Sequence, residues 1–161
     1  MQVNQELSLD LGHVGIYGGL IGEASLTANQ EAEYFELLQR KDLPEIARFL
    51  ATSGLPETVK AHLAVLPTLH GGREVLQKAR SCFADVETSI IDALDYLDAL
   101  ADQMSRRYPQ LDLYFDLSEL RGYNYHTGVV FAAYVPAFGQ AVAKGGRYDE
   151  VGRDFGRARP A

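Results

Sequence analysis

"LRGYNYHTGVVFAAYV", residues 120–135, joins two kinds of chain. From Gly128 to Val135 it is β-branched and aromatic, the composition of a strand. Before that, Arg121, Tyr123, Asn124, Tyr125 and His126 crowd around Gly122. A guanidinium can hold a carboxylate or phosphate through two parallel hydrogen bonds. An imidazole can donate, accept or titrate near neutral pH. A glycine permits unusual backbone angles or the close approach of a ligand. These are the side chains of a pocket wall for a small polar molecule. Tyr125 and His126 are neighbours, so in an extended segment only one of them can enter the pocket. Residue type alone leaves a second reading open, in which the aromatics pack on a sheet and His126 is a hydrogen-bonded surface residue.

Downstream, "KGGRYDE" (144–150) repeats the theme. Gly145 and Gly146 let backbone approach a ligand, Arg147 adds a second cation, and Tyr148 and Asp149 are placed to anchor the loop. "AFGQ" (137–140) reads as a hairpin turn, with "AVAK" (141–144) returning as a strand. The two glycine–arginine elements then stand at the ends of adjacent strands and frame one cleft. No serine or cysteine nucleophile stands near His126, so a hydrolase triad has no local support.

Upstream, "LDLYFDLSEL" (111–120) alternates as a strand. "LSLDLGHVGI" (7–16) does the same, with Leu7, Leu9 and Leu11 on one face and Ser8 and Asp10 on the other. "YGGLIG" (17–22) reads as a flexible turn, because its glycine spacing fits neither a dinucleotide fingerprint nor a phosphate loop. The middle is helical. Thr27 and Gln30 form a capping box before a stripe of Ala32, Phe35 and Leu38. Asp42, Pro44 and Glu45 open a helix that Gly54 ends. Pro56 opens another that Pro67 stops, and Gly71–Gly72 precede "REVLQKAR". The longest helix spans 83–107, with Val86, Ile90, Leu94, Leu97, Ala101 and Met104 on one face and Asp85, Asp92, Asp95 and Asp102 on a solvated one.

This order predicts an α+β fold: an antiparallel sheet built from 1–22 and 109–161, with a helical segment, 23–108, inserted between. The first strand stands over ninety residues from its partners, three or four strands make a thin sheet, and "GRARPA" closes nothing. These features predict a single partial domain, a fragment of a larger protein.

Net charge is -7, unevenly spread. Residues 1–120 carry nine basic and nineteen acidic side chains, residues 121–161 six and three. The acidic body argues against nucleic-acid binding. Arg153, Arg157 and Arg159 either face an anion or are solvated loop charges. No apolar run is long enough for a membrane helix, so no membrane partner is expected. One cysteine, Cys82, permits no internal disulfide and fits a reducing, cytoplasmic setting. The four histidines are scattered without metal-ligand spacing, so no metal is expected.

The stretch 120–135 followed by "GGRYDEVGRDFGRARPA", with "LDLGHVGIYGGL" at 9–20, resembles the ATP phosphoribosyltransferase regulatory subunit family. That family is a paralogue of histidyl-tRNA synthetase and shares its class II synthetase core. The synthetase has a similar motif, Arg-Gly-Leu-Asp-Tyr-Tyr, lining its histidine pocket. Arg121, Gly122 and Tyr125 match it. Asn124 stands for its aspartate and His126 for its second tyrosine. Gly145, Gly146, Arg147, Tyr148 and Asp149 match the shared glycine loop. The resemblance implies a non-catalytic chain with no catalytic residues and no cofactor. Its histidine-pocket-like residues would be Arg121, Gly122, Tyr125, His126, Gly145, Gly146, Arg147 and Tyr148, binding histidine weakly or not at all. Its partner would be the short-form catalytic subunit that performs the first step of histidine biosynthesis, and the full-length protein would self-associate. The alternative is the catalytic core of a histidyl-tRNA synthetase.

Overall fold

The computed structural model of the chain describes residues 6–149. Twelve elements alternate as the composition requires: β1 (Ser8–His13), α1 (Val14–Ala24), α2 (Ala28–Arg40), α3 (Leu43–Thr52), α4 (Glu57–Val65), a 3-10 turn (Leu66–Thr68), β2 (His70–Gly71), α5 (Glu74–Cys82), α6 (Thr88–Arg107), β3 (Asp112–Asp116), β4 (Val129–Tyr134) and β5 (Ala143–Gly146). The arginines at 153, 157 and 159 and the "GRARPA" end lie outside the described residues.

The five strands form one sheet in the order β2-β3-β1-β4-β5. The first strand, over ninety residues in sequence from its partners, is the centre of it. β1 runs parallel to β3 and antiparallel to β4, and the other pairings are antiparallel. The sheet is therefore antiparallel except for one pair. Strand β2 went unread because two residues, His70 and Gly71, carry no periodicity. It comes from the helical segment and extends the edge beyond β3.

The expected turn at 17–22 is a correction: it lies within α1, which begins where the first strand was expected to continue. His13 ends β1 and its Nδ1 accepts the Gly15 N–H at 3.0 Å, capping the helix. One of its glycines, Gly19, serves packing. A Cβ on Gly19 would lie 2.5 Å from Ile90 Cγ1, so glycine there lets α1 lie close against α6.

The cap signals hold. Thr27 and Gln30 form the capping box, Asp42 caps α3 through the Glu45 N–H, and Gly54 follows Ser53, the C-cap of α3, at φ +73°. Helix α6 begins at Thr88, later than the periodicity suggested, and buries Ile90, Ala93, Leu94, Leu97 and Ala101. On α2 the buried stripe is Tyr34, Leu37 and Leu38, with Ala32 exposed. Tyr34 can be interior because its hydroxyl donates to the Leu63 carbonyl at 2.8 Å. The α6 aspartates do not gather. Asp98 and Asp102 pair with Arg73, and Asp95 with Arg80, tying α5 to α6. The core runs from these helices to Leu11 and Phe115 in the sheet. Among the described residues no helix is long and apolar enough to cross a membrane.

Candidate functional site

Register sets the floor of the site. Asp10 on β1 lies beside Tyr114 on β3 and Ala132 on β4, and Ala132 lies beside Lys144 on β5. Alternation puts this row on the face opposite the buried Phe115 side chain. Over it lies a cavity of about 160 Å³. Its walls come from the end of β3 and the segment after it, and from β5 and the residues that follow: Asp116, Glu119, Arg121, Gly122, His126, Gly145 and Tyr148.

Asp116 turns the chain out of the sheet. Its Oδ1 accepts from the Ser118 N–H (3.0 Å) and hydroxyl (2.9 Å), the local bond that makes aspartate a turn former. Its other oxygen pairs with Lys41 at the end of α2. Three residues on, the Glu119 carboxylate accepts the Arg121 backbone N–H at 2.8 Å and its guanidinium at 2.7 Å. Glu119 is half-buried, and burial works to raise its carboxyl. The hydrogen bonds from Arg121 outweigh that and hold it below its usual value. The same contact pushes the Arg121 guanidinium up. Asp10 goes the other way: burial, then the neighbouring Asp116, raise it, with Arg121 and Lys41 opposing only in part.

His126 is clasped. A Cβ on Gly122 would lie 2.5 Å from its Cε1, and one on Gly146 would lie 2.5 Å from its Cδ2. The ring also leans on Tyr148, centroids 4.3 Å apart. The two glycines therefore make room for this imidazole, where the sequence suggested room for a ligand. Gly122 additionally needs φ +69°. His126 Nδ1 lies 3.2 Å from the Arg121 carbonyl, which calls for the Nδ1–H tautomer and leaves Nε2 as an acceptor. Nε2 is buried with no partner among the described residues.

Of the predicted residues, Arg121, Gly122, His126, Gly145 and Tyr148 come together here. Tyr125 does not; it is 71% exposed, so of the adjacent pair His126 is the one that enters. Gly146 contributes only space for the ring. Arg147 turns away, with Nε donating to Asp149 at 2.8 Å and Cδ packing over Gly128 beside His13. Burial first, then the Arg147 charge, lower the His13 imidazole. The sequence reading missed Asp10, Asp116, Glu119 and Lys144. The one available signal was an acid on the polar face of each of two sheet strands, Asp10 and Asp116.

The arrangement holds charges, and no serine or cysteine lines the cavity among the described residues. Arg121 is matched by Glu119 and Lys41 by Asp116, whereas Asp10 and Lys144 enter no ion pair among the described residues. No group of acidic, histidine or cysteine side chains fit for a metal occurs among those residues. An unpaired acid and an unpaired ammonium lining one small cavity suit a zwitterion.

A family model described as histidyl-tRNA synthetase matches residues 1–161. The chain belongs to the histidyl-tRNA synthetase family. Within reach of it, the chain is 55% identical over 156 residues to a protein of Azotobacter vinelandii named ATP phosphoribosyltransferase regulatory subunit, covering 97% of this chain and 39% of that one. A protein of the same name from Thioalkalivibrio sulfidiphilus is 54% identical, covering 95% and 39%. The crystal structure of an ATP phosphoribosyltransferase regulatory subunit/histidyl-tRNA synthetase from Bacillus halodurans superposes with a TM-score of 0.82 at 26% identity, covering 96% of this chain and 40% of that one. The chain thus spans about two fifths of the length of the relatives it matches. The family's class II synthetase-like core is the frame on which the cavity is built.

Proposed function

We propose that this chain is part of a non-catalytic regulatory subunit of ATP phosphoribosyltransferase. In this reading it works in the cytoplasm beside a short-form catalytic subunit, and that enzyme needs it for activity and for inhibition by histidine. The observation that carries the reading is the 55% identity, over 97% of the chain, to a relative of that name. The site supports it. Arg121, the residue that matches the synthetase arginine, is held by Glu119 through two hydrogen bonds, and a clasped imidazole occupies the position of a phenol. The synthetase reading would want both groups free toward a substrate. In the same proposal residues 1–22 and 109–161 belong to the partial domain that carries the main strands, 23–108 are a helical insertion that adds β2 to the sheet edge, and the full-length protein self-associates.

The cavity, in this reading, keeps the shape of a histidine site and binds histidine weakly or not at all. Asp10 would face the ammonium, and Lys144 and the Arg121 region the carboxylate. Gly146 makes room for the His126 ring in the wall, while Arg147 and Tyr125 lie away from the ligand. The test uses the full-length protein. It should co-purify with a short-form catalytic subunit, raise its activity, make that activity sensitive to histidine, and give no histidine-dependent pyrophosphate exchange. Robust exchange would overturn the regulatory assignment. Tight calorimetric binding of histidine, lost in Arg121→Ala, would overturn the weak-site assignment.

A further inference from the structure

The turn that walls the first cavity also walls a second. Tyr123 and Asn124 line a cavity of about 380 Å³ together with Tyr17 on α1 and Glu31, Phe35 and Glu36 on α2. Three of these residues make an aromatic wall. Tyr17 meets Tyr123 edge-on with centroids 4.8 Å apart and Phe35 at 5.8 Å, and Phe35 lies 6.0 Å from Tyr123. The other side is acidic. Neither Glu31 nor Glu36 enters an ion pair among the described residues. The Glu31 charge acts on both tyrosines, adding to the effect of burial, and both phenols are pushed above their usual value and stay protonated.

One more observation points to a ligand. Tyr17 is 1% exposed, and its hydroxyl has no hydrogen-bond partner among the described residues. Buried hydroxyls are normally satisfied, and an unsatisfied one costs stability. Here the orphan hydroxyl belongs to a residue lining a cavity with two unmatched carboxylates and three ring systems. Rings attract a cation through their negative faces, and carboxylates bind it by charge-assisted hydrogen bonds. The phenol oxygen can accept an N–H from the same group. An anion would meet two like charges.

We propose that this cavity binds a small organic cation, an amidinium, guanidinium or ammonium compound, between Glu31, Glu36 and the Tyr17–Phe35–Tyr123 wall. The site is separate from the histidine-like cavity and does not depend on the regulatory reading. The two cavities share the 121–126 turn.

The test titrates full-length protein with benzamidine, a planar cation, and with benzamide, its neutral counterpart, by calorimetry. Benzamidine is expected to bind, and benzamide at least roughly tenfold more weakly, since a charged hydrogen bond is lost. Glu31→Gln should weaken benzamidine by roughly tenfold. Tyr17→Phe should weaken it by a few-fold while leaving the melting temperature unchanged or raised. Asp10→Asn, in the other cavity, should leave it unchanged. If Glu31→Gln does not fold, Glu36→Gln on the exposed side of α2 carries the same comparison. No binding of benzamidine, equal binding of the two probes, binding indifferent to the α2 substitutions, or binding lost in Asp10→Asn overturns the proposal.

Discussion

The α1–α6 layer and the 117–128 segment are built on opposite logic. In the helical layer each residue's role is local and repeated: Ile90, Leu94, Leu97 and Ala101 recur at helical spacing and are all 0% exposed. In the segment between β3 and β4 nothing repeats. Asp116 at the end of β3 turns the chain into it, Glu119 seizes Arg121, and Gly122 makes room for His126, each in a different way. Periodic burial supplies stability, and the irregular segment applies it to hold a site. The contrast predicts that core truncation should cost most and do so without regard to pH. Leu94→Ala should lose about 2–5 kcal/mol, the transfer term plus a cavity. Urea unfolding monitored by circular dichroism checks this, and a loss under about 1 kcal/mol would mean the layer is not the anchor.

The irregular segment should respond to single atoms instead. Gly122→Ala adds a methyl group both at positive φ and against the His126 ring. A cost of about 2 kcal/mol is expected, part strain and part overpacking. His126→Ala in the same chain should return about half of it, since it removes the clash but not the strain. A double-mutant cycle by urea unfolding reads the coupling directly. Strict additivity would show that His126 is not clasped by this glycine.

The same contrast explains what could be read from sequence. The caps at Thr27 and Asp42 and the α6 stripe depend on residues within a few positions of one another, so they were legible. The location of β1 at the sheet centre was not, because its partners, Asp112–Phe115 and Val129–Tyr134, lie far along the chain. The glycines of α1 read as a turn because single-sequence logic assigns glycine to flexibility, while Gly19 lets α6 approach closely. At the site, motif residues were recognisable as a group. Which of them face the cavity was decided by pairings that no local pattern states: Arg147 goes to Asp149, Tyr125 to solvent, and Asp10 arrives from a strand over a hundred residues earlier.

The smallest expected effect separates two carboxylates of the site itself. Glu119 titrates below its usual value because Arg121 outweighs burial. Its contribution to stability is therefore present above the unfolded carboxylate range and is lost as pH falls through the folded value. Asp10 titrates above its usual value because burial and Asp116 outweigh the cations. The native state then binds a proton more readily than the unfolded chain. Charged Asp10 costs stability at neutral pH, and that cost fades as pH falls through its folded value toward the unfolded one. So Glu119→Gln should destabilise at neutral pH by about 1 kcal/mol, since it loses a charge-assisted bond. Asp10→Asn should stabilise by under about 1 kcal/mol, since the group is only partly buried. Both differences should shrink toward zero in acid, from opposite sides. Urea midpoints for the two variants and wild type across the carboxylate range decide it. Equal signs at neutral pH would mean that the two acids share one environment, and that the division of the cavity into a matched pair and an unmatched acid is wrong.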